Sequence, residues 1–233
     1  MKKYLFIFTL IILSFTSNSQ VLISLLLGDK LNSDGLEFGL EGGMNMTNIN
    51  GFDDTKMLGN FNLGFYFDIR MKDQWSLYTG VQVKSNFGMR DLSEGDLEFL
   101  EAEIEDEEGK YSQKISSFMV PFLAQYKFKN YFYVEAGPQL GLVYKGWVEF
   151  TSDEDNRDIV IKDYNDDLLN WINAGVAVGT GYKLMKGEGW TVGVRYYQGL
   201  TNVFKGRSGS IHNSLHFKVN IPIGAGSAKE KKE

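Results

Sequence analysis

Residues 131–145 read YFYVEAGPQLGLVYK, and the alternation within them decides the fold. Phe132, Val134, Ala136, Leu140, Leu142 and Tyr144 fall on one side of an extended chain, with Tyr133, Glu135, Gly137, Gln139 and Gly141 on the other. Successive side chains of a strand point to opposite faces, so a period of two marks a strand with two unlike environments. A helix would scatter both sets around its circumference. Working outward, the same pattern governs 62–70, where Leu63, Phe65, Phe67 and Ile69 alternate with Gly64, Tyr66 and Asp68. It returns at 172–183, at 190–197 and at 215–221, the last setting Leu215, Phe217, Val219 and Ile221 against His216, Lys218 and Asn220. Each run has one apolar face and one face of polar residues and glycine.

Eight runs follow from this reading, at about 36–45, 60–70, 75–88, 114–127, 131–147, 169–184, 190–203 and 211–223. Short turns at 71–74, 128–130 and 185–189 alternate with long polar segments at 46–59, 89–113, 148–168 and 204–210. All short turns therefore lie at one end, which is the layout of an up-and-down barrel of the bacterial outer membrane. A soluble barrel shares the alternation but reverses its radial sense, with an apolar interior. Two details favour the membrane: the polar face carries glycines and charges, and Trp75, Tyr126, Tyr144, Trp147, Trp171 and Trp190 gather near strand ends as interfacial girdles do. The expected fold is all-β, an eight-stranded antiparallel transmembrane β-barrel.

Composition narrows the chemistry. The 233 residues contain no Cys and two His, which excludes disulfides, thiolate metal sites and most histidine-based catalysis. A net charge of −6 argues against a nucleic-acid partner. The 26 Gly stand beside 17 Phe, 12 Tyr and 4 Trp, a pairing that suits a β protein whose glycines relieve crowding around rings. At the N-terminus Lys2 and Lys3 precede an apolar run at 4–15 and a small-polar-small site at Ser17-Asn18-Ser19, the pattern of a secretory signal. The expected organisation is a signal at 1–19, a periplasmic segment at 20–35, the barrel at 36–224 and a charged tail at 225–233.

Three stretches carry a resemblance. Residues 118–128, FMVPFLAQYKF, followed by 133–141, YVEAGPQLG, resemble the central hairpin of the PorT-like outer-membrane β-barrel family. Residues 195–203, RYYQGLTNV, resemble its seventh strand, and 39–45, GLEGGMN, its first. The resemblance covers about 31–223 and implies an envelope location and, for some members, a part in type IX secretion. Against the family pattern, Pro121, Pro138 and Pro222 fall inside strands, where a missing N–H predicts bulges. The last strand also ends on Ile221-Pro222-Ile223 rather than on an aromatic residue.

Candidate sites are few. Glu41, Asp68, Glu135, Arg195 and Lys218 share the inward face at similar depth, and are expected to form an interior ion-pair layer, since an unpaired buried charge is costly. Tyr66, Tyr78, Tyr133, Tyr197 and Trp171 are placed inward with them. Residues 91–108 hold ten acids and no base, among them the cluster Glu101, Glu103, Glu105, Asp106, Glu107 and Glu108. With 153–167 they carry a net −15, which leaves the rest of the mature chain at +7. The acidic loops lack the spacing of a calcium loop, so a solvated surface near anionic lipopolysaccharide is expected, with no metal and no cofactor. Within the first of them, Ser93 and Asp96 resemble an N-cap, and Leu97, Leu100 and Ile104 share a helical stripe. His212, near the rim with Ser208, Ser210, Asp163 and Asp166, is tied to none of them by spacing, so no enzyme is expected. These readings describe a monomeric, non-catalytic barrel with a structural or interaction role through its extracellular loops. Its partners would be outer-membrane lipids, lipopolysaccharide and other envelope proteins, and the alternatives are a type IX-like secretion component or a narrow passive channel.

Overall fold

The structure, a computed structural model, describes residues 35–152, 159–187 and 189–223. The expected signal at 1–19, the segment that follows it up to residue 34 and the tail at 225–233 lie outside the described residues. The strands are β1 (Leu36–Ile49), β2 (Lys56–Lys72), β3 (Trp75–Arg90), β4 (Lys110–Lys127), β5 (Phe132–Ser152), β6 (Ile159–Tyr164), β7 (Ile172–Lys183), β8 (Thr191–Asn202) and β9 (Ile211–Pro222), with a short helix α1 (Glu94–Phe99) between β3 and β4. Eight of them form a closed antiparallel ring in the order β4-β3-β2-β1-β9-β8-β7-β5, sealed by the pairing of β4 with β5. No helix among the described residues is long and apolar enough to cross a membrane.

The long segments are more structured than their polarity suggested. β5 runs on to Ser152 and turns back as β6, which pairs with β5 alone and stands outside the ring. The expected loop at 148–168 is thus largely a hairpin, because Val148, Phe150 and Ile161 supply an apolar face that a strand can bury. β1 and β2 likewise continue to Ile49 and from Lys56.

Radial sorting follows the period-two reading. Phe61, Leu63, Phe65, Val134, Leu140, Leu142, Val176, Val178, Val192 and Val194 are exposed on the outer wall, while Tyr66, Tyr78, Tyr133 and Tyr197 are buried inside. Trp171 departs from its inward assignment and is 68% exposed, since it precedes β7 and lies outside its ladder. Glycine and tyrosine meet across the interior: a Cβ at Gly175 would lie 2.7 Å from the Tyr197 ring, and Gly181 and Gly193 both leave room for Tyr133. Gly39 leaves room for the Tyr66 ring in the same way.

The prolines do not produce the expected bulges. Partners run Thr79–Phe122 and then Gln82–Met119 in unbroken register, so Pro121 leaves a gap in the ladder without shifting it. Pro138 keeps its place opposite Val176, and Pro222 closes β9 opposite Gly39. One missing N–H costs one local bond, and the neighbouring pairs hold the register. The shifts fall elsewhere, and the one between Ser116/Lys145 and Ser117/Val143 matters most. Tyr144 is its extra residue; beyond it Val148 and Phe150 turn inward and Lys145, Trp147 and Glu149 outward.

Aromatic rings band both ends of the apolar wall. At the short-turn end Trp75 and Tyr126 pack at 5.0 Å, and Phe132 and Tyr182 at 5.1 Å. At the long-loop end Phe118 stacks on Tyr144 at 4.9 Å, with Trp171 on the same wall.

Candidate functional site

The interior is built in layers. Inside the barrel, Arg195 of β8, 1% exposed, directs its guanidinium between two acids, with Nε 2.8 Å from Glu135 Oε1 and Nη1 3.6 Å from Glu41 Oε1. Lys218 of β9 completes a square, its Nζ 3.1 Å from Glu135 Oε1 and 3.7 Å from Glu41 Oε2. The Tyr78 hydroxyl and the Gln82 amide both donate to Glu41. The Tyr78 ring also lies under both cations, 5.0 Å from the guanidinium and 4.1 Å from the ammonium. Two acids and two bases thus cancel in a buried layer, where the cost of desolvation is offset by close pairing and hydrogen bonds. Alternation brings these four residues onto the inner face, and the ring closure of β1 on β9 brings Glu41 to Lys218.

Asp68 is not part of that square. It lies nearer the short-turn end, where Lys127 of β4 donates to it. The strands are staggered around the barrel, so equal counts from the turns do not give equal depth. Beside it Tyr66 donates to Glu37 at 2.9 Å, and Lys183 lies 2.5 Å from the same carboxylate. These pairs line a cavity of about 690 Å³ at the short-turn end, walled by Tyr66, Tyr78 and Tyr133. Alternation does not mark Lys127 and Lys183 as inward, because each is the last residue of its strand.

Above the charged square the lining is polar. Asn62 donates to His216 Nδ1 at 2.9 Å while Nε2 lies 2.7 Å from the Ser214 hydroxyl. His212 is buried rather than on the rim, stacked on Phe87 at 4.1 Å and packed against Tyr197 at 5.0 Å. Its supposed neighbours are engaged elsewhere: Asp163 accepts from the Glu103 N–H, Asp166 from the Gly146 N–H, and the Ser210 hydroxyl donates to the Arg207 carbonyl. Among the described residues, His212, Ser208, Ser210, Asp163 and Asp166 are not brought together as a His–Ser–Asp group.

The long-loop end is closed by a second core. Phe87, Met89, Ile115 and Val148 rise from the strands to meet Leu97 and Leu100 of the α1 region and Leu169, Val203 and Phe204 of the later loops. α1 begins with a capping box, in which the Ser93 hydroxyl accepts from the Asp96 N–H and the Asp96 carboxylate accepts from the Ser93 N–H. Leu97 and Leu100 are buried as the stripe predicts, but Ile104 is 58% exposed because the helix ends at Phe99. Arg207 fastens the cap. Its guanidinium lies 3.9 Å from the Phe52 ring and 4.8 Å from Phe99, Nη2 lies 3.6 Å from Asp96 Oδ1, and Nε donates to the Gly51 carbonyl at 2.7 Å. Phe52 and Phe204 fall in the segments 46–59 and 204–210 that the sequence reading assigns to polar loops, and Leu169 at the very start of the run 169–184, so alternation marks none of the three as core.

Outside this cap Glu101, Glu103, Asp106, Glu107 and Glu108 are exposed, and the Glu105 N–H donates to the Tyr111 hydroxyl at 2.7 Å. Among the described residues no cluster of three or more His or acids is placed to hold a metal ion. At the rim Lys56 Nζ lies 2.8 Å from Asp91 Oδ2, and this hydrogen bond, with the charges of Lys56, Arg90 and Lys110, holds the Asp91 carboxyl below its ordinary range.

Among solved structures the chain is similar to Ail, the attachment invasion locus protein of Yersinia pestis, in complex with the heparin analogue sucrose octasulfate. There the identity is 8%, 82% of this chain and 99% of that chain are covered, and the TM-score is 0.45. It is similar also to Neisserial surface protein A, at 11% identity over 81% of this chain and 99% of that one, TM-score 0.41. The outer membrane protein OprG from Pseudomonas aeruginosa is 13% identical over 81% and 93% of the two chains, TM-score 0.34. No curated protein sequence matches. The pattern of the family described as Outer membrane protein beta-barrel domain matches residues 24–205, well over half of the chain. The chain therefore belongs to the outer membrane protein beta-barrel domain family, and is a transmembrane β-barrel of the bacterial outer membrane.

Proposed function

We propose that the protein is a closed, non-catalytic barrel whose extracellular end serves as a fixed platform for contacts with other components of the envelope. The observation that carries this reading is the double closure of the interior. The square of Glu41, Glu135, Arg195 and Lys218 fills the barrel interior, and the cap of α1 and the later loops fills its long-loop mouth. An eight-stranded ring has an interior only wide enough for its own side chains, and here those side chains are ion-paired or packed. The cavity beneath the square is a blind vestibule facing the short turns.

Purified protein reconstituted in planar bilayers should show no steady unitary conductance. Stable conductance steps would overturn the closed reading and make the protein a narrow passive channel. Recovery of a type IX-like secretion complex from crosslinked envelopes would instead move it to the secretion role that the PorT-like resemblance implies.

Orientation follows from the loops, since long segments of such barrels face outward and short turns face the periplasm. A Glu-specific protease added to whole cells should therefore cut within 101–108, where the acids are exposed, and leave the ring strands intact. Trypsin cleavage of intact cells at Lys127, Lys129 or Lys186 would invert the topology.

A further inference from the structure

Charge at the long-loop end is sorted by direction. The acids of 101–108 stand above the mouth, while the outer wall below them is basic. Lys56, Arg90, Lys110, Lys114, Lys145 and Lys162 occupy its outward positions, and across β3 to β6 the ladder aligns Arg90 with Ser112, Lys114 with Trp147, and Glu149 with Lys162. Two acids answer these six bases on that wall. Asp91 takes Lys56; Glu149 accepts from Lys114, lies 3.5 Å from Lys162, and accepts from Trp147 Nε1 at 3.2 Å. Arg90, Lys110 and Lys145 have no ion pair among the described residues. The Lys145 ammonium rests 4.5 Å from the Tyr164 ring and 5.9 Å from Trp147.

Height identifies what this wall meets. From Phe132 to Tyr144 the outward residues of β5 are aromatic, then apolar, then aromatic again, and twelve residues of a strand tilted at about 40° rise roughly 30 Å. Tyr144, stacked on Phe118, thus marks the outer edge of the apolar band, and the bulge at Tyr144 is what turns Lys145 and Trp147 outward directly above it. Cations beside aromatic rings, immediately above hydrocarbon and facing sideways, meet headgroups of the outer leaflet.

We propose that the outer wall formed by Lys114, Lys145, Trp147, Lys162 and Tyr164 is a binding face for the phosphorylated headgroup of an outer-leaflet glycolipid. The ammonium groups take the phosphate, and Trp147 and Tyr164 lie along the junction of sugar and acyl chain. The bulge and the β5–β6 hairpin exist on the same wall and together build it; without the bulge Lys145 would point into the cap. The proposal rests on the long-loop end facing outward, which the protease experiment tests separately.

The test uses detergent-purified full-length protein and two probes, diphosphoryl lipid A and the same lipid with its phosphates removed. Binding is read as the upward shift of the temperature at which the folded, fast-migrating band is lost. Diphosphoryl lipid A should shift the wild type, and the triple variant K114Q/K145Q/K162Q should need roughly tenfold more lipid or greater for the same shift. K145Q alone, which breaks no ion pair, should show part of that loss. K72Q/K129Q/K186Q, the same charge change at the short-turn rim, should behave as the wild type, and dephosphorylated lipid A should shift neither. The proposal is overturned if the wild type gives no shift, if the dephosphorylated lipid shifts it equally, if the wall variants respond as the wild type, or if the short-turn variant loses as much as they do.

Discussion

Replacing Arg195 by Met should destabilise the folded barrel by about 3–5 kcal/mol, the range for breaking a buried ion pair by removing one partner. The side chain is 1% exposed and lies between Glu135 at 2.8 Å and Glu41 at 3.6 Å. Methionine fills much of the volume but leaves two carboxylates sharing Lys218, so one negative charge stays uncompensated in a buried site. Equilibrium unfolding in urea, followed by the gel shift between folded and unfolded bands, measures the loss. Two comparisons isolate the cause. Glu107→Gln, which removes an exposed loop charge, should change stability by no more than about 0.5 kcal/mol. Glu135→Gln added to Arg195→Met should restore part of the loss, because it removes the charge that the first substitution stranded. Equal effects of the Arg195 and Glu107 substitutions would show that the square contributes no more than a surface charge.

Val176→Arg should cost about 2–4 kcal/mol, the penalty for a cation facing lipid near mid-bilayer. Val176 is exposed on the outer wall of β7, opposite Pro138, and equally far from the aromatic bands at the two ends. The same substitution at Val134 should cost only about 0–1 kcal/mol, since depth sets the penalty and an arginine near the interface reaches headgroups. Val134 lies two residues from Phe132 and is as exposed as Val176, at 46% against 45%. Burial therefore predicts no difference between them, and only the membrane does. Equal and small costs at both would mean that this wall faces water.

Much of the fold was legible because strand alternation is local. Which residues of 131–144 face outward can be read along the chain without knowing any neighbour, and the uneven connections show which ends lie together. The inward assignment of Glu41, Glu135, Arg195 and Lys218 has the same origin. Their mutual distances do not, because stagger between strands converts equal counts into unequal depth; Asp68 shares the face and the count, yet pairs with Lys127 near the short-turn rim. The long segments hid more. Polarity marked 148–168 as loop, whereas Phe150 and Ile161 pair there as a hairpin, and Phe52 and Phe204, in segments read as loop, gave no periodic signal although they help close the mouth.

By itself, then, the sequence determined that this is an outward-apolar barrel with its short turns at one end, because period two and turn length are properties of the chain. Only the tertiary structure decided which charges meet, since closing the ring brings β1 against β9, strands separated by nearly the whole sequence. It alone decided that the mouth is capped, because Arg207, in the segment between β8 and β9, joins Phe52 between β1 and β2 to Asp96 and Phe99 of α1. And it alone decided which way the lysines of the hairpin face, because one extra residue at Tyr144 reverses every side chain beyond it.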